Sequence, residues 1–157
     1  GFVAERGNNW LTGMYANYNI YKTKDSRYVS VGCLEKKFWT NLCNALERTD
    51  LIDLIDCEEN HPYLKEQLTL EFEKRTMEEW ETYLKGKDTC VTPILNFAEA
   101  CDAEQTKANE MVLTVNDEEL GEYKQIGFAM KLSKTPAQLS KRAPRLGEDN
   151  KEILGED

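Results

Sequence analysis

The chain has 157 residues, 40% hydrophobic and 10% aromatic, proportions that suit one globular domain and exclude a collagenous, low-complexity or wholly disordered protein. Its 20 Lys and Arg face 29 Asp and Glu for a net charge of −9, so the surface repels polyanions on average and carries no clustered basic footprint for nucleic acid. No run of 18 apolar residues occurs, and the first thirty residues hold neither the basic start nor the apolar stretch of a secretory signal. The expectation is a soluble chain with no membrane span and no nucleic-acid partner.

Residues 1–19 are rich in Asn, Gly and aromatics without steady periodicity, as an irregular incoming linker would be. Tyr18 to Tyr21 and Tyr28 to Val31 are β-prone runs around Lys24-Asp25-Ser26-Arg27, a hairpin signal. After Gly32 the period changes: Phe38, Leu42 and Leu46, and Trp39 with Cys43, recur at helical spacing and predict a helix over about 36–47. Pro62 stands at a plausible first helical position, and Leu64, Leu68 and Phe72 form one apolar stripe down the next helix. Thr76-Met77-Glu78-Glu79 is a capping box that restarts a helix carrying Met77, Trp80 and Leu84, closed by Gly86.

Cys90 to Leu95 reads as a short buried extended segment whose Pro93 belongs at an edge or bend, and Asn96 with Glu99 caps a brief helix. Met111 to Val115 and Tyr123 to Ile126 flank Asn116 to Gly121 as a second hairpin. From Lys131 the chain turns polar, with Pro136, Pro144 and the basic Lys141, Arg142 and Arg145 before an acidic end. Hairpins and irregular alternation predict an α+β fold with antiparallel pairing rather than a doubly wound parallel sheet. Residues 20–130 are the expected domain, and residues 131–157 a segment returning elsewhere. The chain starts at Gly1 and stops just as a helical pattern begins, so both ends are expected to be cut edges.

Cys33, Cys43, Cys57, Cys90 and Cys101 are irregularly spaced and odd in number, which points to structural thiols in a reducing, cytoplasmic setting. No pair is spaced Cys-x-x-Cys, and the single histidine, His61, reads as a helix-start residue between Asn60 and Pro62, so no metal site is expected. Phosphate-binding loops, dinucleotide glycine fingerprints and nucleophile elbows are missing from the sequence. One position stands out. Val31-Gly32-Cys33-Leu34-Glu35 ends a strand and delivers a carboxylate where a helix begins. A Glu there suits the helix N-terminus electrostatically, and equally it is a carboxylate on a rigid corner able to orient a histidine or hold a proton.

The same residues carry a resemblance. Tyr21 to Trp39, with Val31-Gly32-Cys33-Leu34-Glu35 inside it, resembles the opening of the small domain in the class III CoA-transferase (CaiB/BaiF) and alpha-methylacyl-CoA racemase family. Three further segments resemble the family's in the same order: Lys87-Asp88-Thr89-Cys90-Val91-Thr92-Pro93-Ile94-Leu95, Glu119-Leu120-Gly121-Glu122-Tyr123-Lys124-Gln125-Ile126-Gly127, and Arg142-Ala143-Pro144-Arg145-Leu146-Gly147-Glu148.

The resemblance implies a small domain excised from a two-domain enzyme whose Rossmann-like large domain comes first. It further implies an interlocked homodimer with active sites between the large domain of one subunit and the small domain of the other. An acyl-CoA thioester would be the substrate, without a prosthetic group. Glu35 matches the Glu that lies beside the catalytic His of the partner's large domain, a supporting carboxylate that orients and charge-tunes that His. The remaining catalytic residues have no counterpart here, and this piece alone is expected to be inactive. Formyl-CoA transferases of the family carry a Gly-rich loop in this domain, and no such run occurs here, so a racemase-like enzyme is the first expectation and a class III CoA-transferase the second.

Departures from the family pattern are Ser26 for a turn Gly, Lys36 for a Pro, Phe128-Ala129 for Pro-Pro, and Asp149-Asn150 for His-Thr. Cys90 and Thr92 sit among apolar neighbours and read as packing residues, with no local base to make Cys90 a nucleophile. A reading from another class remains, a non-catalytic interaction module using acidic helices and the aromatics Trp10 and Tyr15.

Overall fold

A computed structural model describes Val3 and residues 5–155. Gly1, Phe2, Ala4, Glu156 and Asp157 lie outside the described residues, and with them the outermost ends of the expected linker and return segments. The chain divides into two compact units, residues 1–94 and 95–157.

The first unit opens with the hairpin of β1 (Tyr18–Lys22) and β2 (Tyr28–Gly32), antiparallel with Ile20 opposite Ser30. Its turn is closed by Thr23 N–H to Arg27 O at 2.9 Å and Ser26 N–H to Thr23 O at 2.9 Å, and Ser26 takes the left-handed φ of 62° that a turn glycine would hold. α1 (Lys36–Ala45) follows, then three short 3-10 turns over residues 49–60, which the sequence pattern did not announce. α2 (His61–Phe72) has Pro62 in its first turn, and α3 (Met77–Leu84) starts on the Thr76/Glu79 capping box and is followed by Gly86 at φ 77°. β3 (Val91–Pro93) adds to β2, antiparallel, as the far edge of a three-stranded sheet. Pro93 is tolerated because that edge needs no donor from it.

Strand alternation divides the sheet: Tyr21, Val29 and Val31 are buried, while Ile20 and Tyr28 are exposed. The buried face meets the predicted helical stripes, for Leu64, Leu68 and Phe72 on α2 and Trp39, Leu42 and Cys43 on α1 are fully enclosed. Phe72 stacks on Tyr21 at 5.3 Å and meets Trp80 edge-on at 5.2 Å. Each aromatic polar atom in this core has a partner: Tyr21 O–H donates to Ala16 O at 2.7 Å, Trp80 Nε1 to Phe72 O at 2.8 Å and Trp39 Nε1 to Ile52 O at 3.0 Å. Buried Glu71 is matched by Arg48 at 3.2 Å and by Lys74.

The second unit holds α4 (Phe97–Asp102), begun by the Asn96/Glu99 capping box, and α5 (Glu104–Ala108). β4 (Val112–Asp117) and β5 (Gly121–Ile126) form the second antiparallel hairpin, and α6 (Asn150–Leu154) ends the described chain. The fold is thus α+β, with antiparallel hairpins and several short helices. Among the described residues no helix is long and apolar enough to cross a membrane.

Candidate functional site at the β2 to α1 corner

The corner is held from three directions before it reaches Glu35. Gly32 N–H donates to Cys90 O at 3.0 Å, Cys33 N–H to Asn17 O at 2.8 Å, and Asn17 Nδ2 returns to Cys33 O at 3.0 Å. The fully buried Cys33 thiol donates to Thr89 O at 2.8 Å. Glu35 then takes an extended conformation as the N-cap of α1, its carbonyl accepting from Phe38 N–H at 3.0 Å and Trp39 N–H at 3.2 Å. Its exposed carboxylate makes no capping bond and enters no hydrogen bond or ion pair with any described residue. The backbone of Glu35 therefore starts the helix without help from its side chain.

The residues around that carboxylate are charged or thiol-bearing. Lys36 Nζ pairs with Asp56 at 2.8 Å and Lys37 with Asp88, and each lysine is held protonated further up the pH scale by the hydrogen bond to its partner. Asp88 and Cys90, on either side of Thr89, both adopt left-handed backbone, φ 53° and 47°. Cys90 is exposed rather than buried as its apolar neighbours suggested, because β3 begins only at Val91 and lies at the sheet edge. Partial desolvation and the carboxylates of Glu35 and Asp88 raise the Cys90 thiol, which disfavours a thiolate nucleophile. Burial pushes the Cys33 and Cys43 thiols up to about 12, as inert packing residues. All five cysteines are free.

His61 is the first residue of α2, buried, with Nδ1 accepting from Ala16 N–H at 3.1 Å and its ring 4.6 Å from that of Tyr15. Burial lowers its pKa, with Lys65 adding to the effect, so the ring is a neutral acceptor bracing the incoming segment. Tyr15 is half-buried and donates to Glu58 at 3.1 Å, whereas Trp10 is exposed. A cleft of about 390 Å³ lies on the open face of the sheet, lined by Leu11, Tyr18, Ile20 and Ser30 and ending at Gly32 beside the corner. Among the described residues no cluster of His, Cys, Asp and Glu could hold a metal ion. Sequence reasoning missed Asn17, Asp56 and the role of Asp88, none of which carries a local pattern.

CoA-transferase family III matches residues 1–150. The chain belongs to that family. Over 154 residues this family member is 34% identical to alpha-methylacyl-CoA racemase of Mus musculus, covering 96% of this chain and 39% of that protein. Over 152 residues it is 26% identical to succinyl-CoA:glutarate CoA-transferase of Mus musculus, covering 92% of this chain and 34% of that protein. It spans about two fifths of the length of the racemases it matches. A solved CaiB/BaiF family protein from Brucella suis shares its fold, with a TM-score of 0.67 at 18% identity over 90% of this chain and 37% of that one.

Proposed function

We propose that this chain is the small-domain part of a longer acyl-CoA enzyme of the alpha-methylacyl-CoA racemase type. The observation that carries the reading is the 34% identity to a racemase across 96% of the chain, and in this reading Glu35 is the supporting carboxylate. The chemistry removes the proton on the carbon next to the thioester carbonyl, and the resulting enolate is reprotonated on either face. Glu35 touches no reacting atom in this scheme. Its negative charge orients an imidazole supplied by a Rossmann-like large domain of the partner subunit and raises that group's basicity. The enzyme is an interlocked homodimer in the cytoplasm, takes an acyl-CoA as substrate and needs no prosthetic group. Residues 1–19 and 131–157 are its links to the large domain, so the chain by itself has no activity.

The second reading is a class III CoA-transferase, and the match to succinyl-CoA:glutarate CoA-transferase over 92% of the chain favours it. There an enzyme carboxylate attacks the thioester to give a mixed anhydride and free CoA. CoA then attacks the enzyme's side of the anhydride to release the donor acid and leave an enzyme-CoA thioester, and the acceptor acid takes over the CoA by the reverse of these steps. The two are separated by incubating the full-length protein with a 2-methylacyl-CoA in deuterated buffer, with and without a free carboxylic acid. Mass gain at the α-carbon without added acid is the expected result. CoA passing to the acid with no α-carbon exchange overturns the racemase reading.

A further inference from the structure

Glu35 is followed in sequence by Lys36 and Lys37, yet its carboxylate pairs with neither. Lys36 Nζ lies 2.8 Å from Asp56 Oδ2 and 3.9 Å from Asp53 Oδ1. Lys37 pairs with Asp88 and sits 5.2 Å from the Phe38 ring centroid. The two acids arrive from different parts of the fold, Asp56 from the second of the three 3-10 turns between α1 and α2 and Asp88 from the loop between α3 and β3. Both pairs are exposed, so in water they add little to stability.

The loop that delivers Asp88 is built against local preference. Asp88 and Cys90 occupy left-handed backbone that a β-carbon disfavours, and such conformations persist only where the surroundings over-determine them. They do so here: the carbonyls of Asp88, Thr89 and Cys90 accept, in order, from Asn41 Nδ2 at 3.0 Å, Cys33 Sγ at 2.8 Å and Gly32 N–H at 3.0 Å. Three consecutive carbonyls thus turn to one corner, whereas in an extended strand successive carbonyls point to opposite sides. The same turns bring the Asp88 side chain to Lys37.

We infer that Asp88 and Asp56 are positioning residues that draw Lys37 and Lys36 off Glu35 and so reserve its negative charge for the acid/base group it supports. The inference rests on the proposed role of Glu35. The Cys33 and Cys90 thiols, which feel the Glu35 charge, are both shifted upward and neutral at pH 7.

The test is the pH profile of α-carbon deuterium exchange by the full-length enzyme on a 2-methylacyl-CoA. In Asp88→Asn, Lys37 is free to neutralise Glu35, so the acidic limb moves to lower pH by about half a unit or more. It returns toward the parent's in the Asp88→Asn/Lys37→Met double variant, a rescue that a merely structural Asp88 would not give. Asp56→Asn leaves Lys36 only Asp53, 3.9 Å away, and shifts the limb in the same direction by a smaller amount without touching the strained loop, which keeps the idea testable if Asp88→Asn does not fold. Unshifted limbs in both single variants, or no rescue in the double variant, overturn the inference. Unchanged exchange in Glu35→Gln, or no exchange in the parent, instead removes the reading on which it rests.

Discussion

Between Ala16 and Leu84 the first unit encloses a continuous apolar core built on Trp39, Leu42, Leu64, Leu68, Phe72 and Trp80. In the second unit only Cys101 and Val115 are buried apolar side chains among the described residues, and a buried carboxylate organises the structure instead. Asp117 accepts from the backbone N–H groups of Glu119 at 2.8 Å and Leu120 at 2.9 Å, and pairs with Arg142 at 3.1 Å and Arg145 at 3.1 Å. Arg142 in turn grips Glu148 through two bonds of 2.8 Å. This clasp folds the Arg142 to Glu148 segment onto the turn of the β4–β5 hairpin. One unit is stabilised by removing apolar surface from water, which salt barely touches, and the other by charge-assisted hydrogen bonds that salt and pH can reach.

The sharpest way to break that contrast is to cut into each unit in its own terms. Phe72→Ala removes the ring between Tyr21 and Trp80 and is expected to destabilise the first unit by about 3–5 kcal/mol, measured by denaturant unfolding. Asp117→Asn should raise amide exchange at least about ten-fold across residues 119–120 and 141–149 while leaving α1 and α2 protected. Salt added to the parent protein should loosen the same residues, more weakly. A uniform response of both units to either treatment would show that the contrast is wrong.

Acid separates the units further, because the shifted groups titrate in different windows. His61 is lowered by burial, so it binds fewer protons folded than unfolded; its contribution is complete above its ordinary value of about 6.5 and is lost as pH falls below that. Glu148 is lowered to about 2, first by its bond from Arg142 and then by the Arg145 backbone. The clasp's share from Glu148 is therefore complete above the ordinary carboxylate range of about 4.3 and is lost between there and about pH 2. Residue-resolved exchange from pH 7 to pH 3 should show α2 and the Tyr15–Ala16 region weakening before the clasp. The smallest expected effect is in the first hairpin, where Ser26→Gly relieves a left-handed residue and should stabilise by about 0.5–1 kcal/mol in thermal unfolding.

The same contrast explains how much could be read from the sequence. Helical spacing at Leu64, Leu68 and Phe72 and the Thr76/Glu79 cap are local signals, and the structure follows them because the core they build is contiguous. The 3-10 turns over residues 49–60 mix Asp, Leu and Ile without a dominant period, and Cys90 lies among apolar neighbours that conceal its exposure. Glu35 could be found because Gly32 and the change of period mark a corner. What surrounds Glu35 could not, for Asp56, Asp88 and Asn17 come from separate segments and hold its chain neighbours Lys36, Lys37 and Cys33 through ion pairs and hydrogen bonds that leave no periodic trace. The Asp117 clasp is equally silent, since its arginines lie across a long polar stretch with no regular element before α6.

The central claim is that Glu35 lends its charge to proton transfer at the α-carbon of an acyl-CoA. It is tested most directly by the deuterium exchange rate of the full-length enzyme on a 2-methylacyl-CoA, parent beside Glu35→Gln, with folding checked by thermal unfolding. The account predicts exchange in the parent and a loss of about 10- to 1,000-fold in the variant at unchanged stability. Equal rates in the two proteins would contradict it and leave Glu35 as no more than the residue that begins α1.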